Sequence, residues 1–389
     1  MNRIYILVIL LVMFLSCGNS SSSAYFKKSL GLDPQKAAMY QLTRAQKLTA
    51  GKLDAFFTDL NRKGFFNGAV LVSKAGKILY QKALGILDKN TGSPLTDSSM
   101  FQLASVSKVI TATAVLMLHE REVVDINKAF KDYFPDFPYE KIKVKDLLNH
   151  RSGLPNYIYT LNNEIYQPNY QMNNADMYSY FVSKNTKPYL KPDYRFNYCN
   201  TNYALLALLV EKTSGKSFSK FLKDELFTPL GMRNTATITE IDLNGSNTTR
   251  PYDTRWRPVD FDASDYVLGD KSLYSTPYDL FLFSEALYQN KIISAQTQEL
   301  AYTAFSKERK QSNYGYGWRL KDFNDPSKKE VYHNGWWHGY RTAFHRRLRD
   351  SLTVIVLSNQ LNRTTYQTYK IYDILDSVNS NGIEVEEEE

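Results

Sequence analysis

The chain has 389 residues, 43% of them hydrophobic, and a formal charge of +8 from 48 basic and 40 acidic residues. That length and apolar content suit one large domain, or two tightly joined ones, with a sizeable core, and exclude a disordered chain. No nucleic-acid motif accompanies the basic excess, which reads as charge spread over solvated faces; anionic envelope polymers or lipid head groups are the alternative contacts.

Residues 1–16 read as a signal peptide: Arg3, then an unbroken apolar run from Ile4 to Leu15 that is too short to span a bilayer comfortably. Ser16-Cys17-Gly18 resembles a bacterial lipobox, with Phe14 where leucine is usual. On that reading Cys17 is acylated, residues 17–49 tether the body, and the protein is lipid-anchored in the exported cell envelope, periplasmic or outer-membrane. The alternative is a plain secretory signal cut near Ser23 or Ala24. Only Cys199 remains otherwise, so no intramolecular disulfide is expected.

Apolar spacing predicts a first helix over Gly51–Arg62. Strands follow at Ala69–Ser73 and Lys77–Leu84, turning at Lys74-Ala75-Gly76. A helix then begins near Ser105 and runs to about Glu122. The middle of the chain reads as helical and loop-rich, with helices at Tyr203–Lys212 and Phe218–Leu226. Its tyrosine- and asparagine-rich stretch Tyr157–Tyr178 reads as a pattern-poor loop over the site. Asp279–Tyr288 is another helix. Strands at Lys329–His333, Tyr340–Leu348 and Leu352–Ser358 precede a terminal helix, Arg363–Val378. Residues 379–389, ending in Glu386–Glu389, read as a disordered acidic tail.

The chemistry-bearing feature is Ser105-Val106-Ser107-Lys108. Residues i and i+3 share a helix face, so Lys108 can take or orient the Ser105 proton while the hydroxyl attacks a carbonyl. A helix N-terminus adds free N–H groups where an oxyanion would form. The spacing recurs at Ser217-Phe218-Ser219-Lys220, just after the helix-stop Gly215, where it reads as a helix cap and a solvated lysine.

Wider context separates the two copies. Gly68-Ala69-Val70-Leu71-Val72, Ser105–Lys108, Leu147-Leu148-Asn149-His150-Arg151-Ser152-Gly153, Phe196-Asn197-Tyr198-Cys199-Asn200, Ser275-Thr276-Pro277, Tyr314-Gly315-Tyr316-Gly317-Trp318 and His333-Asn334-Gly335 occur in order. Together they resemble the serine beta-lactamase and penicillin-binding-protein superfamily in its class C-like branch, over roughly residues 50 to 375. The resemblance implies a beta-lactamase-like α/β (α+β) fold: an antiparallel sheet of about five strands flanked by helices. The catalytic domain would span residues 50–378, its sheet part about 50–115 and 270–378, its helical part about 116–269.

The same resemblance makes Ser105 the nucleophile, Lys108 its activator and Tyr198 the general acid/base. Asn200 would bind a substrate amide or hold the lysine. His333 would stand in the third motif's lysine place, ending a strand, and Gly335 would admit substrate backbone. The N–H groups of Ser105 and Trp336 would form the oxyanion hole. No cofactor is implied. His119, His338 and His345 show no metal-ligand spacing, so no metal is expected either. Cys199 reads as the variable middle residue of Tyr-x-Asn, and His150 as the holder of its loop.

Asn334 replaces the hydroxyl that helps bind a penicillin-type carboxylate in relatives, and Trp336 and Trp337 narrow the same edge. The resemblance then favours a D-amino-acid peptidase or carboxylesterase acting on a small-molecule or peptide substrate, with peptidoglycan-derived peptides included. The alternatives are a weak class C-like beta-lactamase and a catalytically idle surface binding module.

Overall fold

The computed structural model describes residues 42–161, 170–184, 186–305 and 312–380. The leader, Cys17 and residues 381–389 lie outside these described residues.

Helix α1, Arg44–Arg62, starts earlier than the expected Gly51, because Thr43 and Gln46 form a reciprocal capping box. Residues 44–49 therefore belong to the body and not to the tether. Strand β1, Gly68–Lys74, and strand β2, Lys77–Leu84, form a hairpin with a two-residue turn. Ala75 and Gly76 both have positive φ (48° and 78°), the geometry that matches strand twist in such turns. Helix α2, Ser107–Glu120, is buried from Ser107 to Leu118. A helix apolar on all sides belongs in a core, and this one carries Lys108 there.

Helix α3, Asn200–Ser214, and helix α4, Pro277–Tyr288, cover the expected helical segments and start slightly earlier. The stretch expected as a loop after Tyr157 has helices at Tyr157–Leu161 and Asn174–Lys184, with residues 162–169 undescribed. Met177 and Phe181, spaced i and i+4, are buried there, a helical signal masked by the polar residues around it. Ser217 caps the short helix Phe218–Leu222, and Lys220 is solvated, as its sequence context suggested.

Two short strands, β3 at Ser312–Tyr314 and β4 at Arg319–Lys321, were not anticipated. They precede β5, Glu330–Trp337; β6, Tyr340–Arg347; and β7, Leu352–Ser358. The antiparallel sheet thus has seven strands in the order β2-β1-β7-β6-β5-β4-β3. β5 does not end at His333 but continues to Trp337, paired throughout with β6.

The sheet is covered on both faces, which explains why its central strands read as near-continuous apolar runs. Val70, Val72, Val354 and Val356 pack with Leu53 and Phe57 of α1. Ile371 and Leu375 of the terminal helix α5, Thr368–Ser380, join the same cluster. Ala69, Leu71, Phe344, Ile355 and Leu357 face the other way, against α2, α3 and α4. The strict alternation along paired β1 and β7 fixes their register, because a one-residue slip would exchange the two cores.

One charged group is sealed between α4 and the sheet. Arg346 of β6 is fully buried, donating to Ser284 Oγ at 3.0 Å and to Tyr302 Oη at 2.6 Å. Nearby Glu285 is 5% exposed, and its Oε1 has no hydrogen-bond partner among the described residues. Burial raises its carboxyl from 4.5 to about 7, with the Arg346 charge opposing the rise. A carboxyl raised on folding favours the folded state when protonated, so its contribution is full below about pH 4.5 and is lost by about pH 7. Denaturant titrations from pH 4 to 8 should show that loss, bounded at about 3 kcal/mol by the shift, and Glu285→Gln should flatten it.

Candidate active site

Ser105 lies in a single 3-10 turn, Ala104–Val106, directly ahead of α2 and not on α2 itself. The turn is fixed from two sides. Leu103 N donates to Leu273 O at 2.7 Å, and Thr342 Oγ1 of β6 donates to Leu103 O at 2.7 Å. Ala104 is held at φ 48°, a left-handed conformation that costs a non-glycine residue about 1–2 kcal/mol. Across from it, a Cβ on Gly335 would lie 2.4 Å from Leu103 O and 3.1 Å from Ala104 Cβ. Only glycine lets β5 approach the nucleophile turn this closely.

Ser105 Oγ accepts two hydrogen bonds, from Lys108 Nζ at 3.1 Å and from Tyr198 Oη at 2.9 Å. Lys108 is fully buried, and its ammonium also donates to Asp270 O at 2.7 Å. Tyr198 is fixed by its chain neighbours: Asn197 N donates to His150 O at 2.8 Å and Cys199 N to His150 Nδ1 at 3.2 Å. The His150 ring lies 4.3 Å from the Tyr198 ring. Burial, then chiefly the nearby Lys108 and Arg319, hold His150 well below its usual range, so it is a neutral support. Cys199 is buried, its thiol pushed up to about 11 by burial, and it does not line the cavity. It is no candidate nucleophile.

The serine opens into a cavity of about 750 Å³, also lined by Tyr198, Asn200, Gly335 and Trp336. Asn200 is the first residue of α3 and faces this space, whereas the carbonyl of Asp270 holds the lysine. Trp336 is 64% exposed and lies over Arg341, whose guanidinium carbon is 4.3 Å from the ring, so it forms the lip of the cavity and is not packing.

His333 takes a different position from the one expected. Because β5 continues as a regular strand, His333 shares the buried face with Gly335 and does not line the cavity. Its Nε2 meets Tyr314 Oη at 3.1 Å and its Nδ1 meets Asn334 O at 2.8 Å. Burial, then the Arg319 and Lys108 charges, keep it well below its usual range. It supports the Tyr198–Tyr314 layer from behind as a neutral group.

Several contributors lay outside the sequence reading. Arg319 lines the cavity with its guanidinium carbon 5.4 Å from the Tyr198 ring and 5.8 Å from the Tyr314 ring, and has no carboxylate partner among the described residues. Its position directly after the Tyr314–Trp318 motif was the available signal. Lys271, just ahead of Ser275-Thr276-Pro277, lines the opposite part of the wall and bonds Tyr157 Oη and Asp270 Oδ2. Asp262, Asp265 and His338 converge closely enough to suggest a metal site. Yet Asp265 already accepts from Trp337 Nε1 at 2.5 Å, His338 Nε2 at 2.9 Å and Asp262 N at 2.5 Å. Those donors account for the convergence as a knot that fixes the β5–β6 hairpin.

Comparison with known proteins gives the family and its fold. The Beta-lactamase family model matches residues 53–379. Penicillin-binding protein 4* of Bacillus subtilis (strain 168) is 32% identical over 335 residues, covering 81% of this chain and 73% of that protein. D-aminopeptidase of Brucella anthropi is 25% identical over 349 residues, covering 87% of this chain and 64% of that one, so the alignment spans under two thirds of this second relative. The octameric penicillin-binding protein homologue from Pyrococcus abyssi superposes with a TM-score of 0.73 at 23% identity, over 85% of this chain and 77% of that one; this similarity concerns the fold.

If both neighbours of Ser105 Oγ activate it, Lys108→Met and Tyr198→Phe should each slow phosphonylation of the serine by on the order of 10²–10⁴-fold. Time-resolved intact mass, with circular dichroism as a check on folding, measures the effect. Rates within a few-fold of wild type would remove that residue from the proton path.

Proposed function

This chain belongs to the Beta-lactamase family and is a serine hydrolase, and on that premise we propose that it cleaves D-amino-acid peptides or small carboxylic esters through a Ser105 acyl-enzyme. The observation that carries the reading is the pair of hydrogen bonds received by Ser105 Oγ at the floor of an open cavity. In the proposed cycle one member of the Lys108–Tyr198 pair first gives its proton to solvent, and that group then takes the Ser105 proton as Oγ attacks the substrate carbonyl. The N–H groups of Ser105 and Trp336 receive the oxyanion. Tyr198 returns a proton to the departing nitrogen or oxygen, and water then releases the acid by the reverse path.

The end of the cavity beside Tyr198 bears on the leaving group. Along β5, Gly335 marks the nucleophile, and Arg319 pairs in register with Tyr332 on one side of it. That end lies beside Tyr198, where the leaving group must receive its proton. An unpaired guanidinium there suits a leaving group that carries a carboxylate, such as a C-terminal amino acid. The penicillin-binding and D-aminopeptidase relatives point to the same range of chemistry. With Asn334 in the hydroxyl's place, beta-lactam hydrolysis would be slow. An idle binding module is the second reading, and the intact Ser105–Lys108–Tyr198 contacts argue against it.

Export to the bacterial envelope and a lipid anchor at Cys17 are part of the proposal, and rest on the first residues of the chain alone.

A fluorophosphonate should add once to the wild type and not to Ser105→Ala, as read by intact mass. D-peptides and activated esters should then turn over faster than penicillins. No adduct on folded protein would transfer the assignment to the binding module.

A further inference from the structure

Both groups that donate to Ser105 Oγ trace back to one residue behind the cavity wall. Tyr157 opens the short helix Tyr157–Leu161 and is fully buried. Its backbone N donates at 2.8 Å to Oγ1 of Thr201, which lies in the first turn of α3 just beyond Tyr198. Thr201 Oγ1 passes its own hydrogen to Pro155 O at 2.7 Å, and Cys199 Sγ meets the same carbonyl at 3.4 Å. The main chain at Tyr157 is thereby stitched to the segment that carries Tyr198.

The hydroxyl reaches the other way. Tyr157 Oη donates to Asp270 Oδ2 at 3.1 Å and accepts from Lys271 Nζ, which also lies 3.4 Å from Asp270 Oδ2. Burial, then nearby Asp270, keep the phenol well above its usual range, so its hydrogen stays in place. The chain therefore has a fixed direction, from amine to phenol to carboxylate. Asp270 is the residue whose carbonyl accepts from Lys108 Nζ at 2.7 Å. It belongs to no helix or strand, so no ladder aims that carbonyl. Gly269 O, bonded by Thr111 Oγ1 at 2.7 Å, and Leu273 O, bonded by Leu103 N at 2.7 Å, pin the segment on either side. Between those points Tyr157 and Lys271 hold the Asp270 side chain.

Lys108 needs that hold. Its Nζ has two hydrogen-bond partners among the described residues, Ser105 Oγ and Asp270 O, and otherwise faces the rings of Tyr198 and Tyr203. A nitrogen that is to take the Ser105 proton must turn a lone pair toward Oγ, and an N–H engaged by Asp270 O sets that rotation. The cluster is also a costly filling for a core. Asp270 and Lys271 are both buried, and Asp270 Oδ1 lacks a hydrogen-bond partner among the described residues. Apolar side chains of similar volume are often the more stable choice, which sets the cluster apart from ordinary packing.

We infer that Tyr157 is a positioning residue for the reaction, its hydroxyl holding the Asp270 peptide so that Lys108 meets Ser105 Oγ, while its backbone registers the Tyr198 segment to the same point. Tyr157 does not line the cavity, and its hydroxyl acts through Lys108. The inference rests on the Ser105 acyl-enzyme reading above and adds to it what sets the geometry of the proton path.

The test is the saturation kinetics of Ser105 phosphonylation by a fluorophosphonate, read by time-resolved intact mass, with circular dichroism and thermal melting as checks on folding. Tyr157→Phe keeps the ring and the N–H to Thr201 and removes only the hydroxyl. It should lower the maximal rate on the order of tenfold to a hundredfold, with the half-saturating concentration within a few-fold of wild type. In a Lys108→Met background the same substitution should slow the reaction no further, because the group it positions is gone. A residue that merely supports the fold would carry its full factor into that background. Asp270→Ala should match Tyr157→Phe, and Asp270→Asn, which keeps an acceptor for the phenol, should recover most of the loss. A rate within a few-fold of wild type in Tyr157→Phe, or an equal factor in both backgrounds, overturns the inference. Should Tyr157→Phe not fold, the two Asp270 variants in both backgrounds decide by the same criterion. No adduct on folded wild-type protein would instead overturn the Ser105 reading, which every other outcome leaves standing.

Discussion

Everything at the site depends on how closely β5 approaches the turn that carries Ser105. No side chain fits between them, since a Cβ at Gly335 would fall 2.1 Å from Thr342 Oγ1 and 2.4 Å from Leu103 O. Thr342 in turn bonds the Leu103 carbonyl, so the sheet grips the backbone immediately ahead of the strained Ala104. The consequence is positional. The peptide after Gly335 and the start of the 3-10 turn face one cavity, and the serine hydroxyl is aimed at Lys108 and Tyr198 without adjustment. Lys108 sits on a buried helix and Gly335 on a paired strand, while the Ser105 turn and the Tyr198 segment are pinned by backbone hydrogen bonds, which keeps the atoms within the tolerance that acyl transfer demands.

The electrostatics follow from that geometry. Lys108 and Arg319 lie within 6 Å of the Tyr198 ring, and the histidines that back it are kept neutral by burial and by those same cations. A proton leaving Tyr198 would leave its charge between two cations in a partly dry site, where their attraction is weakly screened. The other end of the cavity is quieter. Lys271 is satisfied by Tyr157 and Asp270, and His338 by Asp265, whereas Arg319 at the leaving-group end has no carboxylate partner among the described residues. The asymmetry gives the cavity a direction along β5.

Much of this was legible in the sequence. The apolar runs at Gly68–Val72 and Leu352–Ser358 marked the central strands because both faces are covered, and Ser105, Lys108 and Tyr198 came from motif order. What escaped has physical reasons. The strands Ser312–Tyr314 and Arg319–Lys321 are too short to show a period. His333 was expected to face substrate because its strand was ended too early, and the true strand turns it inward. Tyr157 and Asp270 meet from 113 residues apart, a pairing that neither local spacing nor propensity records. The capping box at Thr43 was readable, but it lay in a stretch assigned to the tether.

The energetic cost of the site bears on whether it works. Lys108 has no exposed surface and, among the described residues, no carboxylate hydrogen-bond partner; its partners are a serine hydroxyl and a peptide carbonyl. Burying so polar a group is expensive, and a methionine of similar shape would remove the cost. Beside it, Ala104 holds a left-handed backbone, and Asp270 Oδ1 and His150 Nε2 are buried without hydrogen-bond partners among the described residues. These features cluster at Ser105 and at the groups that hold Lys108 and Tyr198, while the valine-rich sheet core behind them obeys ordinary packing rules. Local rules broken together around one hydroxyl, inside a body that otherwise keeps them, are what a site maintained for chemistry requires. A binding surface would gain nothing from an activated serine at the floor of its cavity.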